Sequence, residues 1–169
     1  WLIPQYDLCQ YTRQRWSDEL RVANCLLRMI DGRTERTFGN TCCHTTIGQG
    51  KDEVRFDDIV ASLFVAARGP LNDSIIVPDS LRYTCLGHFS GDSRTAADLR
   101  QLVERARSQG GWIIFMFHGI GADTHKLFIE TEQHRQFIDY LSAESKTIWT
   151  ASMVDVATHL KRSGYTAVP

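Results

Sequence analysis

Trp112-Ile-Ile-Phe-Met-Phe-His118-Gly-Ile-Gly121 is the stretch whose reading decides the fold. Its apolar run, Trp112 to Phe117, is too short to cross a membrane and suits a buried strand. Buried parallel strands read as unbroken apolar runs, and ligands collect at their carboxyl ends. A histidine ending such a strand, with glycines letting the backbone bend beside it, faces whatever lies above the sheet. The plainer alternative is a strand-end histidine bonded to a loop carbonyl.

Around this run, helical and strand patterns alternate. Trp16, Leu20, Ala23, Leu27 and Ile30 recur at steps of three and four, which predicts a helix stopped at Asp31-Gly32. Thr37-Phe38 fits a short strand leading into the polar loop 39–46. Phe56 to Ala67 reads as a second helix, with Ile59, Leu63 and Ala66 on one side and Arg68-Gly69-Pro70 breaking it. Residues 70–94 look irregular, apart from a strand over Leu81–Leu86.

Thr95 with Asp98 forms a capping-box pattern ahead of Leu99, Leu102, Val103 and Ala106, and Gly110-Gly111 ends that helix. A helix from about Glu130 carries His134, Phe137, Ile138 and Leu141 on one stripe. Thr147-Ile148-Trp149 fits a last strand, and Ser152 with Asp155 caps a final helix ended by Gly164. The first eleven residues read as a loop. This alternation predicts an α/β layer or barrel with parallel strands and catalytic groups at their carboxyl ends.

The chain has 169 residues, a length for one domain with a sizeable core. Its 43% hydrophobic and 23% charged residues are ordinary for a globular protein. A formal net charge of −1 gives no electrostatic case for nucleic acid or an anionic membrane, and no run reaches transmembrane length. The five cysteines, Cys9, Cys25, Cys42, Cys43 and Cys85, match no metal-finger spacing. Cys42-Cys43-His44 offers soft-metal donors without a second Cys/His pair, so most of the thiols are expected in the core.

The ordered set Arg36-Thr-Phe38, Ala66-Ala-Arg-Gly69, Trp112–Gly121, Glu132-Gln-His134, Phe137-Ile-Asp-Tyr-Leu141 and Ile148-Trp149 resembles the C-terminal part of the polysaccharide deacetylase family, carbohydrate esterase family 4. The likeness covers about residues 12–162. It is closest to the branch in which a strand-end histidine precedes Gly/Glu-Ile-Gly. The resemblance implies an incomplete distorted (β/α) barrel: residues 1–169 form a single domain holding the C-terminal strands and helices only.

In this family an Asp-His-His triad holds a divalent metal, usually zinc, and a neighbouring aspartate acts as base on a metal-bound water. Those motifs, Asp-Asp and His-x-x-x-His, belong to the early part of the family's chain, and neither is present here. Asp57-Asp58 stands at an expected helix start with no His-x-x-x-His after it. The zinc ligands are therefore expected outside this chain, consistent with a start at Trp1 rather than Met.

Carried over by position, His118 matches the general acid. Histidine suits that role because it ordinarily titrates near neutrality. Gly39-Asn-Thr-Cys-Cys43 falls where the family has Tyr-Pro-Cys/Tyr-Gly, and Cys42 matches the residue whose backbone N–H stabilises the oxyanion. The pattern departs at Thr41 and Cys43, where Pro would fix φ and Gly would permit a positive one. Trp149 is a candidate for stacking on a sugar ring, with core packing as the alternative.

The remaining candidates have plainer readings. His134 fits a buried, hydrogen-bonded role, His44 the surface, and His88 and His125 loops. Arg68 points either at a carboxylate of the barrel mouth or simply at its own helix terminus. The function implied is metal-dependent removal of acetyl groups from an acetylated carbohydrate. The alternative is a non-catalytic carbohydrate-binding or scaffold relative. A barrel lacking its early strands would expose a sheet edge, so an oligomer is also expected.

Overall fold

The computed structural model describes residues 8–166; the expected N-terminal loop lies outside them up to residue 7. Helix α1 (Arg13–Asp31) opens with the Thr12 side chain accepting from the Arg15 N–H. It closes at Gly32, which is left-handed at φ 70°. Strand β1 (Thr37–Gly39) runs into a 3-10 turn, Thr41–Cys43. The short antiparallel pair β2 (Thr46–Ile47) and β3 (Val54–Arg55) follows. Helix α2 (Asp57–Leu63) leads to β4 (Ala66–Leu71) and then β5 (Leu86–Ser90).

Helix α3 (Ala96–Ser108) starts with the expected capping box: Thr95 accepts from the Asp98 N–H, and Asp98 accepts from the Thr95 N–H. Then come β6 (Phe115–Met116), α4 (Thr131–Ala143) and α5 (Met153–Arg162), the last capped by Ser152 as expected.

Strands β1, β4, β5 and β6 form one parallel sheet in that order. It is curled like half a barrel and carries five helices among the described residues, compatible with an incomplete α/β barrel.

Pleat alternation divides the core between the two faces. Ala67 packs with Trp16, Leu20, Ile59 and Val60 of α1 and α2 on the outer face. Its neighbour Ala66 packs with Leu86, Leu81 and Ala157 of α5 on the inner one. Phe115 and Phe117 meet Leu99, Val103 and Phe137 of α3 and α4. Complete burial of one such side chain contributes about 1.5–3 kcal/mol, and Leu99 is fully buried. Helix α5 therefore packs on the inner face through Ala157.

Four expectations need correction. Helix α2 ends at Leu63, not Ala67. Phe64 is already extended (φ −133°, ψ 149°), and Ala66–Leu71 joins the sheet between β1 and β5. The strand expected at 81–86 lies at Leu86–Ser90, because Leu81 and Tyr83 are buried from a loop instead.

Residues 147–149 form no strand, since nothing pairs with them. The central run is half-buried rather than buried, because β6 is an edge strand. Its backbone bonds one side only, with Phe89 N–H donating to Ile114 O (2.9 Å) and Gly91 N–H to Met116 O (2.8 Å).

Candidate functional site

All four strands point their carboxyl ends the same way, so the segments after β1, β5 and β6 gather at one end of the sheet. His118 stands there, two residues past Met116 and on the same side by pleat parity. Its Nδ1 lies 2.7 Å from Asp92 Oδ2, and its backbone N–H donates to Asp92 Oδ1 at 3.0 Å. Ser90 Oγ donates to the same carboxylate at 2.8 Å.

Burial pushes the Asp92 carboxyl up. The hydrogen bonds from His118 and Ser90 outweigh that and leave it below the usual carboxylate range. An ionised Asp92 accepts from Nδ1–H, which leaves Nε2 as the nitrogen turned to a ligand. The His125 ring stacks on His118, centroids 5.1 Å apart at 11°. Gly119 permits this: a Cβ there would meet Thr124 Oγ1 at 2.2 Å and prevent the loop from folding back.

Cys42 lies at the same end of the sheet, after the opposite edge strand. Cys42 and Cys43 both take the left-handed conformation, at φ 47° and 62°. The Cys43 N–H donates to Asn40 O (3.0 Å) and the His44 N–H to Thr41 O (2.9 Å). Cys42 N–H has no backbone acceptor among the described residues.

Trp149 is not brought to this end. It lines cavities of about 520 and 250 Å³ together with Gly110, Gly111 and Trp112, where its ring meets His159 edge-on at 5.1 Å. Trp112 is six residues before His118, on the order of 20 Å along an extended chain.

Other residues depart from their expected places. None of the five thiols is in the core: Cys9, Cys25 and Cys42 are exposed, Cys43 and Cys85 half-buried, because larger apolar side chains fill the interior. His134 is half-buried with its ring edge-on to Phe117. His44 is exposed as expected, and His125 sits in a loop. His88 is the central residue of β5, fully buried, and not a loop residue. Arg68 lies in β4, not at a helix terminus, and its Nη1 is 3.2 Å from His88 Nε2.

Sequence reasoning missed Asp92. Its signal was Ser90-Gly91-Asp92 at a strand end, hidden once the strand was placed five residues early.

No group of three His, Cys, Asp or Glu that could hold a metal converges among the described residues. No helix among them is long and apolar enough to cross a membrane. No family model, curated protein or solved structure matches the chain.

Proposed function

We propose that this chain supplies the proton-donating side of a hydrolytic site that removes acetyl groups from an acetylated carbohydrate. The fold in this reading is a distorted (β/α) barrel of the polysaccharide deacetylase type, of which these strands are the C-terminal part. The Asp92–His118 pair at the carboxyl end of a parallel strand carries the reading.

Asp92 holds the imidazole through Nδ1–H, so Nε2 is aimed outward, where its protonated form can act as an acid. When a tetrahedral adduct collapses, the bond from carbon to the leaving nitrogen or oxygen breaks. The Nε2 proton goes to that atom, and the acetyl carbonyl re-forms as acetate. A positioned proton donor of this kind contributes roughly 10²–10⁴-fold to rate. The Cys42 N–H, at the same end of the sheet, suits the oxyanion of the adduct.

The zinc and the aspartate base implied by the resemblance find no counterpart among the described residues. The proposal therefore gives this chain only the acid and the oxyanion donor.

The test is acetate release by the full-length polypeptide, supplied with Zn²⁺, from N-acetylated chitooligosaccharides and O-acetylated xylooligosaccharides. Release by wild type that is lost in His118→Ala supports the reading. Sugar binding without any acetate release assigns the chain to the non-catalytic alternative.

A further inference from the structure

Arg68 is half-buried on the inner face and forms no ion pair with a carboxylate among the described residues. The arrangement around it is built. His88, fully buried, meets Arg68 Nη1 through Nε2 at 3.2 Å. Burial and the adjacent guanidinium both hold the His88 ring below its usual titration range, so it accepts from Arg68 as a neutral base.

Asn40, 2% exposed, donates from its backbone N–H and from Nδ2 to the Arg68 carbonyl, at 3.1 and 3.0 Å. Asn40 Oδ1 is buried without a hydrogen-bond partner, and the His88 ring also meets the Pro70 backbone. The other edge of the guanidinium, Nη2 with Nε, lies beside Gly39: a Cβ there would be in ordinary contact at 3.4 and 3.7 Å.

The neighbouring acids are engaged. Asp73, whose charge reaches His88, pairs with Arg94 at 3.7 Å, and Asp92 is held by His118 and Ser90. With Nη1 occupied, Arg68 keeps one fork, Nε with Nη2. One fork and one charge match a carboxylate.

His88 and Ser90 share a face of β5, and Ser90 bonds to the acid that holds His118. Arg68 therefore lies on the same face as His118, two strands away; its backbone is level with Leu86 and so with Trp112, which puts it on the order of 20 Å from His118, with the guanidinium reaching back toward it as far as His88.

We propose that Arg68 seats a carboxylate of the substrate, so that the carbohydrate handled beside His118 is an acidic one, bearing a uronate. This rests on the carbohydrate reading of the site. His88 is a positioning residue that meets the guanidinium, and Asn40 holds the Arg68 backbone through its carbonyl.

The experiment compares binding of two disaccharides to the full-length polypeptide by calorimetry. One is N-acetylglucosamine linked to glucuronate; the other is its uronate methyl ester, which removes only the charge. Wild type should bind the acid at least about tenfold more tightly than the ester. Arg68→Gln should abolish that preference while the ester binds as before, and Arg68→Lys should keep part of it.

Equal binding of acid and ester by wild type overturns the proposal whether or not the variants fold. A preference that survives in folded Arg68→Gln does the same, and so does failure to bind either sugar. Acetate assays on the same pair separate the two readings. Acid-selective binding with no acetate from any substrate removes the deacetylase reading and leaves the carboxylate site. Equal release of acetate from acid and ester removes the carboxylate site and leaves the deacetylase.

Discussion

Asp92 grips His118 twice, accepting from its backbone N–H at 3.0 Å and meeting Nδ1 at 2.7 Å across 26 residues of sequence. The backbone contact fixes where the residue stands, and the ring contact fixes which nitrogen faces outward. A histidine held only by its ring would swing with its loop; this one is tied to the end of β5.

His118→Ala should therefore lower kcat by roughly 10²–10⁴-fold, with substrate affinity nearly unchanged, because the residue acts on the leaving group. The basic limb of the pH–rate profile should disappear with it. If the histidine were structural, the variant would instead lose about 1–3 kcal/mol of stability from the unsatisfied Asp92 and keep its turnover per folded molecule. Kinetics and melting on the same sample decide between these outcomes.

Asp92→Asn should reduce turnover and also change the acid side of the stability profile. The native carboxyl titrates below its unfolded value, so its stabilisation is present above about pH 3.9 and is lost as pH falls through the depressed native value. The stability difference between wild type and variant, measured by urea unfolding, should shrink over that window. A constant difference would show that Asp92 is not ionised in the native state.

His88 gives a second pH signature, nearer neutrality. The unfolded residue titrates near pH 6.5, whereas the native one is held lower by burial and by Arg68. The native state thus binds fewer protons between the two values. Its stability should fall as pH drops below about 6.5, by no more than about 1.4 kcal/mol per unit. His88→Gln should remove that slope from an unfolding series run between about pH 7.5 and 5.

Cys43→Gly should stabilise the fold. Cys42 and Cys43 are both left-handed, a conformation that costs a side-chain-bearing residue roughly 1–2 kcal/mol and glycine little. Part of the gain is offset by the greater freedom of glycine in the unfolded chain, so a net rise of about 0.5–1 kcal/mol is expected. A lowered melting temperature would mean that the Cys43 side chain makes a contact worth more than the strain.

Helix α1 should make the isolated chain associate. Val22, Leu26, Leu27, Met29 and Ile30 all face solvent, the last two 78% and 82% exposed. Apolar surface gathered on one helix marks an association or aggregation site. Met29→Lys with Ile30→Lys should raise the soluble monomer fraction in sedimentation, with stability changed by no more than about 0.5 kcal/mol. Unchanged association in that variant would place the contact elsewhere, at the open edges of β1 or β6.

The sequence by itself determined the elements held together by near neighbours. The Thr12, Thr95 and Ser152 caps bond to residues three positions on, and the apolar stripe of α3 follows from helix geometry alone. An unbroken apolar run ending in histidine likewise placed His118 at a strand terminus.

Only the tertiary structure decided the rest. Asp92 with His118 and Arg68 with His88 are separated by 26 and 20 residues, and no local pattern records which strands lie side by side. Gly87-His88 read as a loop because neither residue favours a strand. The fold needs that glycine, since Asn72 Oδ1 and Ser74 Oγ lie 2.4 and 2.2 Å from where its Cβ would be. Thr147–Trp149 has the composition of a strand and lacks one because strand formation requires a partner backbone, which a single segment cannot specify.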